Sequence, residues 1–351
     1  MKKNRILNIK QIIESEKAFI KENSQKKIFD LASKSIFNFI KKKFRNSRIL
    51  FICGPGNNGK DGILTFELLK KHKIKSEIFL IENKAFKNGT KQLEELIKAS
   101  DVLVDCIFGT GLNRRIFGKF KSVIQLINSS KKRIVSIDIP SGINGDSGNV
   151  LGLAVNSDIT LAMGFFKPSH FLLPSKKFCG QIFLLDLKLK VPENCYPDIY
   201  LANPKSFIKK LPKSYLGIHK HVKGHTFVLG GTMAGASRIV ALSARKIGSG
   251  LSTILVDSKN LKFYGGVEPG TILVDFSLKR MPKKIDVLVL GPGLGKSFNR
   301  KKLVEIIKKV DCPIIIDADA ISIFENHKSE FYKILKSKKN IILTPHQGEF
   351  D

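Results

Sequence analysis

Acidic residues are scarce in this chain. Its 351 residues hold 30 Asp and Glu against 61 Lys and Arg, a formal net charge of +31. Such an excess raises the question of an anionic partner. Here it is spread over both halves, mostly as single lysines, with no arginine-rich arm and no aromatic RNA-binding signature, so a nucleic-acid role is not expected. Cysteine is also sparse. Cys53, Cys106, Cys179, Cys195 and Cys312 form no CxxC and no even framework, which excludes a disulfide scaffold and fits a reducing compartment. No apolar run reaches the ~18 residues of a membrane span, and the N-terminal stretch has no continuous apolar segment of the secretory kind. A soluble cytoplasmic protein is expected, without a membrane partner.

What is present is enough apolar material for a core: 42% hydrophobic against 26% charged residues. At about 150 residues per domain the length predicts roughly two domains. The first 46 residues carry apolar stripes at helical spacing, Ile12, Ile13, Ala18 and Ile20, then Ile28, Leu31, Ala32, Ile36, Phe37 and Ile40. Strand–turn–helix units follow. Strands are expected at 48–53, 76–81, 102–108, 134–139, 159–164 and 181–187, with helices at 61–71, 92–99 and 120–127. Near-continuous apolar strands alternating with helices predict a parallel sheet covered on both faces, an α/β three-layer sandwich. A polar, proline-containing stretch around 191–204 marks a boundary. The rhythm then restarts, with strands at 225–229, 252–256, 287–290, 314–316 and 341–343 and helices at 234–247, 301–310 and 328–335.

Chemistry-bearing motifs sit where strands end. Gly54-Pro-Gly-Asn-Asn-Gly-Lys-Asp-Gly62 joins a strand to a helix. Its glycines permit close backbone approach to a ligand, and the helix N-terminus offers N–H donors. It is neither a Walker A loop nor a GxGxxG fingerprint, and a tight turn capped by Asn is the plainer alternative. Asp105 lies inside an apolar strand, where an ionised carboxylate is costly unless paired or metal-bound; Gly-Thr-Gly-Leu-Asn-Arg-Arg115 follows it. Asp138 ends another strand in Ile137-Asp-Ile-Pro-Ser-Gly142. Open α/β sheets bind ligands beyond the carboxyl ends of their strands, so the three loops can converge. Oxygen donors from Asn58, Asp105 and Ser141 suit an alkali cation better than zinc. His219, His221 and His225 show no fourth zinc ligand.

The order GPGNNGxDG, VDxxFGTGL, DIPSG and TxxxGxxK (Thr160, Gly164, Lys167) resembles the YjeF N-terminal family of NAD(P)H-hydrate epimerases, over roughly residues 1–200. The resemblance implies a Rossmann-like sheet and one potassium ion per site. It also implies interconversion of the R and S forms of NADHX and NADPHX, nicotinamide cofactors hydrated at ring carbon six. Carried over by motif position, Asn58, Asp105 and Ser141 would hold the potassium. Asn57, Asn58, Gly59, Lys60, Asp61, Gly109, Thr110, Gly111, Leu112, Asn113, Arg114, Arg115 and Asp138 would meet NAD(P)HX. Asp138 is the candidate general acid/base. Lys60 stands where the family's NNGGDG has glycine. If that position needs positive φ, lysine there costs ~1 kcal/mol or more; alternatively its ammonium meets the substrate's pyrophosphate.

Farther on, His219-Lys220, Lys223-Gly-His225, Val228-Leu-Gly-Gly231, Gly291-Pro-Gly-Leu-Gly295, Asp317-Ala-Asp319 and Leu343-Thr-Pro-His-Gln-Gly-Glu349 resemble the ADP-dependent NAD(P)H-hydrate dehydratases of the ribokinase-like fold. That resemblance implies ADP and Mg2+ as co-reactants and places Gly293 and His346 at NAD(P)HX positions. Gln347 replaces the second proline of the usual TPHPGE. The family's GxGD loop, which carries its base and anion hole, does not occur in residues 1–351. The expectation is an epimerase-like domain over 1–205, then an incomplete ribokinase-like α/β domain over 206–351 whose dehydratase activity is lost. A homo-oligomer is expected. The rival readings are a ribokinase-type small-molecule kinase and a non-catalytic cofactor-binding protein.

Overall fold

The computed structural model describes residues 5–81, 89–191, 199–211, 219–266, 268–282 and 284–350. The chain divides into two compact units, Met1–Leu211 and Pro212–Asp351.

In the first unit a short strand, β1 (Arg5–Ile6), leads into α1 (Ile9–Glu22) and α2 (Gln25–Phe44). Asn8 opens α1 with a reciprocal box: its side chain accepts from Gln11 N–H at 2.8 Å while the Gln11 side chain accepts from Asn8 N–H at 3.0 Å. Ser24 caps α2 through Lys27 N–H at 3.2 Å. Then come β2 (Ile49–Cys53), α3 (Asn57–Lys71), β3 (Ser76–Leu80), α4 (Gly89–Ala99), β4 (Val102–Cys106), α5 (Gly118–Ser129), β5 (Arg133–Ile137), β6 (Ile159–Met163) and β7 (Gln181–Leu185). The sheet order is β3-β2-β4-β5-β6-β7 and every pairing is parallel. Alternate residues of β2 serve opposite faces. Phe51 and Cys53 pack with Ile36, Phe37 and Ile40 of α2, whereas Leu50 and Ile52 pack with Leu93, Ile97, Val123 and Ile127 of α4 and α5. Burial on both faces is why the strand reads as unbroken hydrophobicity. The chain leaves β2 toward one edge and β4 toward the other, so a Rossmann-like switch point lies between them. A two-residue strand, β8 (Ile199–Tyr200), pairs antiparallel with β1; the sequence reading anticipates neither. Helix α6 (Pro204–Phe207) follows.

The second unit contains β9 (His225–Leu229), α7 (Ala234–Ile247), β10 (Leu251–Val256), β11 (Thr271–Asp275), β12 (Val287–Leu290), α8 (Arg300–Lys309), β13 (Ile314–Ile316), α9 (Asp319–Ser322), α10 (Lys328–Lys336), β14 (Ile341–Leu343) and α11 (Gln347–Phe350). Its sheet runs β11-β10-β9-β12-β13-β14, again all parallel, a doubly wound order with its own switch point between β9 and β12. Edge strand β11 is absent from the sequence reading. Among the described residues no helix is long and apolar enough to cross a membrane.

One local expectation fails usefully. The helix expected from residue 61 begins at Asn57, so the motif that reads as a loop forms the first turns of α3. Lys60 is therefore helical, donating its N–H to Gly56 O at 3.1 Å, and it is not among the residues with positive φ. The strain that a positive φ would impose on lysine does not arise.

Candidate active site

Two glycines let the exits of β2 and β4 touch. A Cβ on Gly54 would lie 2.1 Å from Ile107 O, and one on Gly59 would lie 1.8 Å from Gly54 O. A side chain on Gly54 would part the exits of β2 and β4, and one on Gly59 would push α3 off the exit of β2. Gly56 caps α3 without a side-chain hydrogen bond, leaving the helix N-terminus facing the loops beyond β4 and β5.

Asp105 lies one layer beneath and is 1% exposed. Its Oδ1 accepts from Ser141 Oγ at 2.6 Å and Ile107 N–H at 3.2 Å; Oδ2 accepts from Ser136 Oγ at 2.7 Å and Ser141 N–H at 2.9 Å. Burial raises the carboxyl's pKa, and these donors oppose the rise. Asn58 Nδ2 donates to Phe108 O at 3.0 Å and Ile137 O at 3.3 Å, and Phe108 N–H donates to Ser141 Oγ at 2.8 Å. Asn58, Asp105 and Ser141 are thus drawn together with two carbonyl oxygens. One carboxylate among neutral oxygens is a hard donor set of low charge, and it fits a monovalent cation.

Asp138 takes φ +69°, a left-handed conformation uncommon outside glycine. Side chains from the segment after β6 hold it there. Lys167, 1% exposed, pairs with its Oδ1 and also donates to Met163 O at 2.9 Å. Thr110 N–H donates to Oδ2 at 3.3 Å. His170 Nδ1 accepts from Lys167 N–H at 3.1 Å, so the proton belongs on Nε2, which donates to Asp138 O at 2.8 Å. Burial, with the Lys167 charge, pushes the His170 pKa down to about 4, so the ring is neutral and serves as a brace.

These groups border a cavity of about 570 Å³, within the ~300–1,000 Å³ of small-molecule sites. Asn57, Asn58, Asp61, Gly109, Thr110, Gly111, Leu112, Asn113, Arg114, Asp138 and Lys167 line its polar side; Ile9, Ile12, Ile13, Ile20, Ile28 and Phe29 of α1 and α2 line its apolar wall. Several expected contacts are not brought to it. Gly59, Lys60 and Arg115 are not among the lining residues, and the Lys60 ammonium lies 5.8 Å from the centre of the Phe29 ring. Gly293 and His346 belong to the second unit. Gly293, at φ +72°, accepts from Met233 N–H at 3.1 Å, where the exits of β9 and β12 meet. His346 is exposed and bonded to Glu349.

Sequence reading misses three participants. Lys167 stands in a recognised motif but receives no role, and His170 is passed over. Glu16 goes unnoticed although it interrupts the stripe Ile9, Ile12, Ile13, Ile20 of α1. A carboxylate on an apolar face was the available signal. Glu16 lines the cavity, and burial and the Asp138 charge raise its pKa.

Comparison with known proteins agrees with this division. Residues 25–92 and 83–169 match the profile of the YjeF-related protein N-terminus, and residues 226–351 match that of NAD(P)H-hydrate dehydratase. The bifunctional NAD(P)H-hydrate repair enzyme Nnr of Dictyoglomus turgidum is 30% identical over 366 residues, covering 92% of this chain and 70% of that protein. The chain belongs to the Nnr family. The Nnr of Coxiella burnetii is 30% identical over 327 residues, covering 86% of this chain and 65% of its own. The chain therefore spans about two thirds of the length of these relatives. Among solved structures, an ADP/ATP-dependent NAD(P)H-hydrate dehydratase from Bacillus subtilis, co-crystallised with ATP and Mg2+, is 25% identical over 40% of this chain and 50% of that one, with a TM-score of 0.32.

Proposed function

We propose that the first unit epimerises hydrated nicotinamide dinucleotides, interconverting the R and S forms of NADHX and NADPHX. The observation that carries this reading is Asp138, held in a left-handed backbone by His170 and in one side-chain position by Lys167, at the edge of a cavity built on the switch point. Epimerisation at carbon six requires the bond to its hydroxyl to break and reform. A fixed carboxylate there can move the proton, typically worth ~10²–10⁴-fold in rate. The N-terminus of α3 suits the dinucleotide's phosphates, and the isoleucine wall of α1 excludes water. Asn58, Asp105 and Ser141 would hold a potassium ion, which supplies a fixed positive charge at the base of the site when bound.

For the second unit the reading is ADP-dependent dehydration of S-NAD(P)HX, with Mg2+. The epimerase reading is tested by mixing pure R-NADPHX with the 351-residue chain and following the S form by chromatography. Equilibration at the uncatalysed rate at micromolar protein would refute it.

A further inference from the structure

An epimerase of this kind faces a geometric demand. A single acid–base group returns water to the face from which it removed it, so inversion calls for proton exchange from two sides. Three carboxylates line the cavity, Glu16 of α1, Asp138 beyond β5 and Asp61 on α3. The settings of Asp138 and Asp61 are opposite. Asp138 has Lys167 on one oxygen and the Thr110 N–H on the other. Asp61 Oδ1 is closed off from solvent, and no hydrogen-bond partner reaches it among the described residues. The groups acting on Asp61 are Glu16 from α1, Asp138, and the Cys106 thiol of β4. Of the cavity's cations, Lys167 is engaged with Asp138, and Arg114 sits in the loop after β4. Burial, reinforced by the charges of Asp138 and Glu16, pushes the Asp61 pKa up to about 8.

We propose that Asp61 is a second catalytic residue of the epimerase, a proton-bearing acid that works with Asp138 from a different element of the cavity wall. The assignment rests on the epimerase reading. In one direction Asp61 gives its proton to the carbon-six hydroxyl. The C6–O bond breaks, the oxygen leaves as water, and the lone pair of the ring nitrogen forms an N1=C6 double bond. A water on the Asp138 side then adds to C6 and yields a proton to Asp138, while the double-bond electrons return to the nitrogen. The reverse direction exchanges the two roles. One proton has passed from Asp61 to Asp138, and its return through solvent closes the cycle with no further reactant. Carboxyl pairs whose surroundings favour opposite protonation states divide acid and base work in this way.

The test is kinetics of the full chain on R-NADPHX with Asp61→Asn, which preserves shape and hydrogen bonding but cannot transfer the proton. The expected result is a kcat lower by ~10²–10⁴-fold with KM little changed. Wild-type kcat should fall as the pH rises through about 8, where Asp61 loses its proton, and this limb should vanish from the residual rate of Asp61→Asn. Partial recovery in Asp61→Glu would support the role. The wild-type limb is measured on unaltered protein and does not depend on how the variant folds. A wild-type kcat flat from pH 6 to 10, or an Asp61→Asn chain with full kcat, overturns the assignment and leaves the epimerase reading standing. A wild-type chain without epimerase activity overturns both.

Discussion

Asp105 and Asp61 are both carboxylates largely withdrawn from water, one beneath the cavity and one on its wall, and the fold partners them in opposite ways. Four donors from β5 and the segments after β4 and β5 converge on Asp105, whereas Asp61 has a buried oxygen that no donor reaches among the described residues. Asp105 ties the sheet's exits together, and its partners oppose the rise that burial imposes on its pKa. Asp61 has no such tie, and keeping its proton is the alternative to an uncompensated buried charge. The four donors fix Asp105 in place, whereas nothing of that kind fixes the proton of Asp61.

The strongest way to break this contrast is to make Asp138 resemble Asp61. Lys167→Met leaves the Asp138 carboxylate without its cation and should cost ~3–5 kcal/mol in urea unfolding, the usual penalty for stranding a buried charge. Epimerase activity should fall with it. If stability is unchanged, the ion pair does not hold the site.

Asp105→Ala should come next. It leaves the hydroxyls of Ser136 and Ser141 and the N–H groups of Ser141 and Ile107 without their acceptor, for about 3 kcal/mol. Asp105→Asn keeps an oxygen and should fall between alanine and wild type. Potassium-dependent melting should weaken in the same order. Wild-type ion dependence in both variants would move the cation elsewhere.

Asp61→Asn should shift stability the other way. The folded pKa of Asp61, about 8, exceeds its ordinary 3.8, so its contribution is intact below pH 3.8 and drains away as the pH climbs toward 8. Asparagine has no proton to lose. The variant should therefore gain about 1.4 kcal/mol over wild type for each pH unit above 4, roughly 5 kcal/mol by pH 8, with a flatter urea midpoint across that range. A variant that tracks wild type across that range would show that Asp61 ionises freely.

Lys60→Gly should do least. Lys60 is helical and turned toward Phe29, so the change should cost ~1 kcal/mol of helix propensity and leave KM for NADPHX where it was. A tenfold rise in KM would bring its ammonium back to the substrate.

Much of the first unit was legible because its local signals are strong. Leu50, Phe51 and Ile52 announce a strand buried on both faces, and Gly54 and Gly59 mark where the backbone must pass another backbone. Asp105 stood out as an acid in an apolar strand. The start of α3 was harder, since Asn57-Asn58-Gly59 carries turn residues that here open a helix behind Gly56. Strands β1 and β8 were missed because two residues leave no periodicity to read.

The sequence by itself determined the alternation of strands and helices, the places where loops could gather, and which side chains were chemically able to act. These follow from apolar periodicity and from what glycine permits the backbone, both local properties. Only the tertiary structure decided what each acid does. The Lys167 that pairs with Asp138 is 29 residues away in the chain, and the Ser141 that serves Asp105 is 36 away. Glu16 comes to Asp61 from a helix outside the sheet. A carboxylate's proton affinity depends on burial and on charges within a few ångströms, and those neighbours exist only once the chain has folded.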